Sequence, residues 1–294
     1  MKGGRMISTS ISPEIARELA STVPAELACP DEPVYLGEGF DMVVYRWGAH
    51  TLRFPIRREA VELLENEYRW APDAAEILRD AGLAIPTPRF RGTSSNTFGY
   101  PWLLVDYVDG APLNTMPIAD RGRATRDLAT ALALLHQPAP AEAPISPYRG
   151  VPLSAKSTLF SSWITDSPHE KILRDSFEAG IKAAEWERAP VWCHGDPHPA
   201  NIIVKEGKIS GLIDFGNLGQ GDPAVDYAGF YLGFTAEQRA DARVVLRAMG
   251  AADDDALWQR AKGWAAAMIA ALLTSGSPAL QGLGADSAAL LADG

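Results

Sequence analysis

Two acidic turns joined by a short hairpin constrain this chain more than any other feature. The first turn is His194-Gly195-Asp196-Pro197-His198-Pro199-Ala200-Asn201, and the second is Asp214-Phe215-Gly216. Between them, the apolar pieces Ile202-Ile203-Val204 and Leu212-Ile213 flank a turn at Glu206-Gly207-Lys208, a pattern typical of a hairpin. The hairpin would fold the two turns back toward each other.

The residue types in these turns suit phosphoryl transfer, a reaction that needs little covalent assistance and much management of charge. Asp196 would lie at the acceptor hydroxyl. Asn201 and Asp214 offer the hard oxygen atoms that Mg²⁺ prefers, and the cation would neutralise nucleotide phosphates. Pro197 stiffens the first turn because it keeps Asp196 out of helical geometry.

The pattern of apolar residues changes from strands to helices along the chain. The N-terminal third predicts strands over Val34–Phe40, Val43–Trp47 and Thr51–Phe54, a helix over Arg57–Arg79, and a strand over Trp102–Val108. Pro72 would either kink that helix or open a second one. Beyond Gly110 the pattern predicts helices over Asp120–His136, Lys156–Trp163 and Glu170–Glu187, and from Thr235 onward.

This order predicts an α+β fold in which a β-rich N-lobe is joined by one hinge strand to a helical C-lobe. We expect an N-terminal lobe over residues 1–103, a hinge over 104–110 and a C-terminal lobe over 111–294. The 294 residues are enough for two lobes, and the hinge marks a ligand cleft.

The amino-acid composition limits which binding partners and which cellular compartment we expect for this protein. The formal net charge of −10 argues against nucleic acid as a partner, because basic patches supply most of that affinity. Two cysteines are too few for a disulfide scaffold or a structural zinc site. No apolar run is long enough to span a membrane, and the start, Met1–Met6, lacks the apolar core of a secretion signal. We therefore expect a cytoplasmic protein, most simply a monomer.

The two turns resemble the catalytic loop of the aminoglycoside phosphotransferase family, within the protein-kinase-like superfamily, whose pattern is His-Gly-Asp-x-His-x-x-Asn followed by Ile-Asp-Phe-Gly. Leu36-Gly37-Glu38-Gly39-Phe40 is similar to the nucleotide loop of that family, and Trp102–Val108 to its hinge. Gly221–Asp226 is similar to its Gly-Asp-Pro-x-x-Asp helix start. In register, these segments cover about Leu36–Asp226, nearly two thirds of the chain. The resemblance implies a bilobal protein-kinase-like fold with one main helix in the N-lobe.

The resemblance also implies roles for individual residues. The catalytic base would be Asp196, the magnesium ligands Asn201 and Asp214, and the anchor of the catalytic loop His194. The nucleotide, ATP or GTP, would be bound by Gly37 and Gly39, by Arg53 and Glu67, and by main-chain groups of the hinge at Asp106, Tyr107 and Val108. The site would be braced by Asp222 and Asp226.

Arg53 departs from the pattern, because most kinase-like enzymes have a lysine on the third strand. Period two places Arg53 opposite Leu52 and Phe54, so its side chain could face the cleft. A guanidinium can bind phosphate and a carboxylate together, and Glu67 is the expected partner, with Glu65 as the alternative. The stretch Leu52–Arg58 resembles the macrolide phosphotransferase branch of the family.

Each motif also has a plain structural interpretation. Gly37 and Gly39 could form an ordinary hairpin turn, and Arg53 could lie on the surface of the strand. Asp222 and Asp226 are more typical of helix capping and loop bracing than of catalysis. His194 and His198 lack a third ligand at suitable spacing, so zinc is not expected. Trp258, Trp264 and Met268 are more typical of a core than of a substrate pocket.

The leading hypothesis is a kinase that phosphorylates a hydroxyl of an antibiotic, either a macrolide or an aminoglycoside. Alternatives are a metabolic kinase acting on choline, an amino alcohol or a sugar, and a nucleotide-binding pseudokinase. The intact Asp196, Asn201 and Asp214 argue against the pseudokinase. A macrolide, with one amino sugar on a large apolar ring, would need a hydrophobic wall rather than many carboxylates. The expected wall is Phe230, Tyr231, Phe234, Trp258, Trp264 and Met268.

Overall fold

A computed structural model describes residues 11–293, so the predicted absence of a secretion signal at Met1–Met6 lies outside the described residues. The chain forms two compact units. One contains the described residues up to Pro72 together with Pro86–Tyr107, and the other contains Asp73–Ile85 and the described residues from Val108 onward. The short stretch Asp73–Ile85, placed in the N-lobe by the sequence analysis, therefore groups with the second unit. The predicted α+β class is confirmed.

The first unit is built on a five-stranded antiparallel sheet with the order β1-β2-β3-β5-β4. Its strands are β1 (Val34–Glu38), β2 (Met42–Trp47), β3 (His50–Pro55), β4 (Pro88–Gly92) and β5 (Trp102–Asp106). The three predicted N-terminal strands and the predicted hinge strand are confirmed, with ends shifted by one to two residues. Strand β4 was not predicted, because the short stretch between its prolines and glycine carries arginines rather than an apolar run.

Alternation along the strands gives the sheet two different faces. Leu52, Phe54 and Trp102 pack into a cluster with the short helix α1 (Pro13–Ala20). On the other face, residues such as Leu103 pack with Leu64 of helix α2 (Arg58–Leu78). Because neighbours on a strand face opposite sides, Arg53 shares the face that is covered by α2.

Helix α2 is one continuous helix with Pro72 inside it, so the alternative of a second helix opening at Pro72 is wrong. A proline cannot donate the backbone hydrogen bond at its own position, which weakens the ladder locally without ending the helix here. The boundary between the two units falls directly after this residue.

The second unit contains two small antiparallel sheets, β6-β8-β9 and β7-β10. Its strands are β6 (Ala111–Pro112), β7 (Val191–Cys193), β8 (Ile202–Lys205), β9 (Lys208–Leu212) and β10 (Gly219–Gly221). The predicted hairpin between the acidic turns is confirmed as β8 and β9. The first acidic turn directly follows β7, and the second directly follows the end of β9.

The helices of the second unit surround α8, most of whose residues between Leu257 and Leu272 are buried. They are α3 (Gly122–Leu135), α4 (Ser157–Ile164), α5 (Glu170–Lys182), α6 (Ala224–Gly233), α7 (Ala236–Ala248), α8 (Asp255–Leu273) and α9 (Pro278–Ala292). Helices α5 and α8 approach closely because two glycines meet: a Cβ added to Gly180 would lie 2.8 Å from the Cα of Gly263.

The aromatic residues of α6 and α8 belong to this core. Six side chains are at most 8% exposed: Phe230, Tyr231, Phe234, Trp258, Trp264 and Met268. The prediction that they form the wall of an acceptor pocket is wrong, because these side chains pack within the core rather than on an open surface. The alternative interpretation of Trp258, Trp264 and Met268 as core residues is confirmed. Among residues 11–293, no helix has the length and hydropathy needed to cross a membrane.

Candidate active site

The loop that follows β7 is held by a buried carboxylate from the first turn of α6. The two oxygens of Asp226 accept hydrogen bonds from the backbone nitrogens of His194, at 2.8 Å, and Gly195, at 2.7 Å. Gly195 has a φ of 86°, and a Cβ there would lie 2.8 Å from the carbonyl oxygen of Asn217. Glycine is therefore required at this position by both backbone conformation and space.

The His194 side chain is fully buried and ties the two acidic turns together. Its Nε2 lies 3.0 Å from the carbonyl oxygen of Ile213, and its Nδ1 accepts a hydrogen bond from the backbone nitrogen of Asp196 at 3.2 Å. These contacts place the imidazole as a spacer between the two turns, which is the anchoring position the resemblance implied.

Three buried side chains behind the loop lie close enough to hold a metal ion: His136, Cys193 and Asp226. Hydrogen bonds within the protein account for this cluster, because Asp226 also lies 3.0 Å from His136 Nε2. Burial raises the pKa of the Cys193 thiol well above its usual value, which opposes a thiolate ligand. We therefore assign the cluster to loop bracing.

The Asp196 carboxylate lies between a guanidinium and an imidazole. Its Oδ1 accepts a hydrogen bond from Arg149 Nη2 at 3.0 Å, and its Oδ2 is 3.9 Å from His198 Nε2. Burial by itself raises the pKa of Asp196, but the charge of Arg149, with smaller contributions from His198 and His194, outweighs burial and lowers it overall. The carboxylate is therefore ionised at neutral pH, as a proton acceptor must be. Burial lowers the pKa of His198, so this imidazole is neutral there.

Asn201 and Asp214 are brought together by the base of the hairpin. The backbone nitrogen of Ile213 donates to the carbonyl oxygen of Asn201 at 3.0 Å, which places Asp214 beside it. The Asn201 amide nitrogen donates to the Asp196 carbonyl oxygen at 2.9 Å, so its amide oxygen is the atom suited to a cation. Asp214 has a φ of 67°, a left-handed conformation that is costly for a residue with a side chain and is concentrated at functional sites. One carboxylate and one amide oxygen fit a magnesium ion.

The Asp222 carboxylate is hydrogen-bonded to two elements of the second unit. Its Oδ1 accepts from the backbone nitrogen of Ala224 at 3.0 Å, which caps the start of α6. Both carboxylate oxygens also accept from the Arg260 guanidinium of α8, at 2.6 and 3.2 Å. Asp222 therefore ties α6 to α8, and Asp226 ties α6 to the catalytic loop.

In the first unit, Arg53 of β3 pairs with Glu67 of α2. The distance from Arg53 Nη1 to Glu67 Oε1 is 3.1 Å, and the two side chains are 7% and 0% exposed. The alternative of a surface arginine is therefore wrong. Glu65 pairs instead with Arg91 of β4, where both its oxygens accept from Arg91 Nε at 3.0 to 3.1 Å.

We expect Glu67→Ala to lower the free energy of unfolding by about 3–5 kcal/mol, because it leaves a buried guanidinium without its charged partner. Urea denaturation would measure this loss. Glu65→Ala is the matched control on the same helix, and its exposed pair predicts a loss of about 0–1 kcal/mol. Equal losses in the two variants would contradict the structural importance of the Arg53–Glu67 pair.

Gly37 lies near the end of β1, and Gly39 lies in the connection between β1 and β2. A Cβ added to either glycine would meet no protein atom within 4 Å, so packing does not require glycine there. The Gly39 backbone nitrogen donates to the Met42 carbonyl oxygen at 3.0 Å and closes the turn. The segment is therefore a hairpin turn, and among the described residues no other protein atoms cover its backbone at the two glycines.

The hinge residues are partly committed to contacts within the protein. The backbone nitrogens of Asp106 and Tyr107 donate to the carbonyl oxygens of Thr87 and Ala49, both at 3.0 Å. The Asp106 carboxylate accepts two hydrogen bonds from Arg89, at 2.8 and 2.6 Å. A nucleotide base would therefore need carbonyl oxygens, or the backbone of Val108, rather than these two N–H groups.

The sequence did not reveal Arg149, the charged residue that contacts the carboxylate of the candidate base Asp196. It lies in a Pro/Ala-rich stretch that reads as a surface loop, and no periodicity marks it. The available signal was a lone basic residue inside Ser146-Pro147-Tyr148-Arg149-Gly150, where proline and glycine predict a fixed turn.

Comparison with known proteins now identifies the family. The family model of the phosphotransferase enzyme family matches residues 35–264, more than three quarters of the chain. The chain therefore belongs to the phosphotransferase enzyme family. The predicted family and enzyme class are both confirmed.

Individual relatives come from two antibiotic classes. An aminoglycoside 3'-phosphotransferase of Enterococcus faecalis is 39% identical over 67 residues, so the match spans 23% of this chain and about a quarter of that relative. The GDP and kanamycin complex of APH(2")-IIia is 21% identical, with a TM-score of 0.68 over 94% of this chain and 96% of that one. The apoenzyme of macrolide 2'-phosphotransferase MphH from Brachybacterium faecium is 20% identical, with a TM-score of 0.60 over 88% and 91% of the two chains. These similarities confirm the kinase-like fold.

Proposed function

We propose that this protein transfers the γ-phosphate of ATP or GTP to a hydroxyl of an antibiotic, and that the antibiotic is a macrolide. The observation that carries the proposal is the ionised Asp196 carboxylate, on a loop fixed by Asp226, with Asn201 and Asp214 brought to the base of the same hairpin by the hydrogen bond from the Ile213 backbone nitrogen to the Asn201 carbonyl oxygen. A base and two residues with hard oxygen donors at the base of one hairpin are the parts that phosphoryl transfer requires.

In the proposed reaction, Asp196 orients the acceptor hydroxyl and takes its proton. The hydroxyl oxygen forms a bond to the γ-phosphorus while the bond from that phosphorus to the bridging oxygen breaks, and the nucleoside diphosphate leaves. A magnesium ion, held by Asn201 and Asp214 when bound, would neutralise charge on the phosphates. The His194 contacts keep the two turns in register, so the base and the cation ligands stay at a fixed separation.

In the first unit, we propose that Arg53 and the turn at Gly37 and Gly39 bind the nucleotide phosphates. Glu67 would hold the Arg53 guanidinium in place, and a guanidinium can bind a carboxylate and a phosphate together. The open space above the two glycines lets phosphate approach the backbone. Asp106, Tyr107 and Val108 would bind the base through main-chain groups. ATP complexes and GDP complexes both occur among the similar structures, which supports a nucleotide donor of either kind.

The macrolide proposal draws support from the Leu52–Arg58 stretch and from the similarity to a macrolide 2'-phosphotransferase. An aminoglycoside is the second candidate, because the matched relative from Enterococcus faecalis is an aminoglycoside 3'-phosphotransferase. We further propose that the protein is a cytoplasmic monomer that does not bind nucleic acid, as its charge and motifs predict.

A coupled nucleotide-turnover assay against a panel of antibiotics tests the proposal. We expect turnover with a macrolide such as erythromycin, using ATP or GTP and Mg²⁺. Efficient phosphorylation of kanamycin with none of erythromycin would replace the macrolide with an aminoglycoside. Turnover with choline or a sugar and with neither antibiotic would contradict antibiotic phosphorylation altogether.

A further inference from the structure

A positive charge lies directly on the candidate base. Arg149 Nη2 donates to Asp196 Oδ1 at 3.0 Å, and the two side chains are 21% and 18% exposed. The Nε of Arg149 is buried and has no hydrogen-bond partner among residues 11–293. The guanidinium therefore carries a buried donor in addition to the one that it uses on Asp196.

The segment that carries Arg149 is fixed to strand β10. The backbone nitrogen of Gln220 donates to the Pro144 carbonyl oxygen at 2.8 Å. The side-chain amide of Gln220 donates to the Ala143 carbonyl oxygen at 2.6 Å. Ser146 Oγ donates to Asn217 Oδ1 at 2.9 Å and accepts from the backbone nitrogen of Arg149 at 3.1 Å. The backbone position of Arg149 is thus fixed by the fold.

This arrangement assigns different tasks to the two oxygens of Asp196. Oδ1 is occupied by Arg149, whereas Oδ2 is 3.9 Å from His198 Nε2, which is too long for a hydrogen bond. Oδ2 is therefore the oxygen that would receive the acceptor hydroxyl. An acceptor that places its hydroxyl there brings its neighbouring substituents close to the guanidinium.

The surface around Arg149 combines cations with apolar side chains. Lys156 lies 5.8 Å from the ring of Tyr148, and its Nζ donates to the Pro147 carbonyl oxygen at 3.3 Å. Ile145 is 63% exposed and Tyr148 is 37% exposed. Ile145 lies over the residue next to Arg149, because a Cβ added to Gly150 would be 2.9 Å from Ile145 Cγ2. We call Ile145, Tyr148, Arg149 and Lys156 the Arg149 surface.

Resting on the proposed function, we propose that Arg149 is a specificity-determining residue that, together with Lys156, selects acceptors with few positive charges near the reacting hydroxyl. An aminoglycoside carries several ammonium groups, and each one near Asp196 would meet a fixed like charge. A macrolide carries one amine on a large apolar ring, which matches the exposed Ile145 and Tyr148. The Arg149 surface thus replaces the aromatic wall expected from the sequence.

The test compares kcat/KM for erythromycin and kanamycin in the full chain and in three variants: Arg149→Met, Arg149→Lys and the control Arg123→Met. Arg123 is a 55% exposed arginine on α3 that pairs with Asp127, so its loss removes one positive charge without removing the charge paired with Asp196. We expect Arg149→Met to lower the ratio of erythromycin to kanamycin activity at least about tenfold, mainly through a lower KM for kanamycin. Arg149→Lys, which keeps the charge, should retain the ratio, as should Arg123→Met.

The ratio is measured on one preparation, so it does not depend on the fraction of correctly folded protein. An unchanged ratio in Arg149→Met would overturn the specificity role and leave the proposed function intact. A ratio that falls equally in Arg149→Lys would also overturn it, because charge would then not be the cause. If the unmodified protein phosphorylated neither antibiotic, the proposed function would fail, and the specificity role with it.

Discussion

Asp196→Asn is expected to reduce turnover about 10²–10⁴-fold while nucleotide affinity changes little. General base catalysis contributes about this factor, and an amide cannot take the proton of the acceptor hydroxyl. The substitution preserves the shape of the side chain, and its oxygen can still accept the Arg149 hydrogen bond. Steady-state turnover together with calorimetric titration of the nucleotide would separate the two effects.

Asp241→Asn is the matched control, because Asp241 is a 53% exposed carboxylate that also pairs with an arginine. We expect its turnover to stay within twofold of the unmodified protein. Burial alone would raise the pKa of Asp196, but the charge of Arg149 outweighs it and the pKa is lowered overall, so a pH–rate profile should show no protonation of this carboxylate in the neutral range. Near-normal turnover in Asp196→Asn would remove Asp196 from the role of base.

Asp214→Ala is expected to weaken binding of the magnesium–nucleotide complex more than about 100-fold, and to affect magnesium-free nucleotide much less. Loss of an outer-shell partner typically costs 10–100-fold in metal affinity, and a direct anionic ligand should cost more. Calorimetry with and without Mg²⁺ measures both affinities without requiring turnover.

Asp175→Ala serves as the control, because Asp175 is a 58% exposed carboxylate on α5 whose pair with Lys171 is on the surface. Its affinities should match those of the unmodified protein. If Asp214→Ala bound the magnesium–nucleotide complex as tightly as the control does, Asp214 would not be a metal ligand.

Local patterns were sufficient for β1, β2, β3 and β5, for the hairpin and for the turns of the candidate site. The alternation in β3 correctly predicted that Arg53 faces away from Leu52 and Phe54, because side-chain direction in a strand follows directly from sequence position. The spacing of the two acidic turns correctly predicted that a hairpin joins them. The choice of Glu67 over Glu65 came from the family register, since periodicity alone allowed both.

Local sequence patterns could not predict contacts between segments that are far apart in the chain. The aromatic residues of α6 and α8 looked like an acceptor wall, yet they are buried because several helices pack around them at once. Arg149 lies 47 positions from Asp196, and its place depends on hydrogen bonds to β10, a strand too short to carry a pattern of its own.

The sequence by itself determined the fold class, the family and the positions of Asp196, Asn201 and Asp214, because each depends on residues that are near one another in the chain. Only the tertiary structure decided which charges surround the Asp196 carboxylate and which apolar residues remain exposed. Charge and burial are set by everything that packs within a few ångströms, and most of those neighbours come from remote parts of the chain.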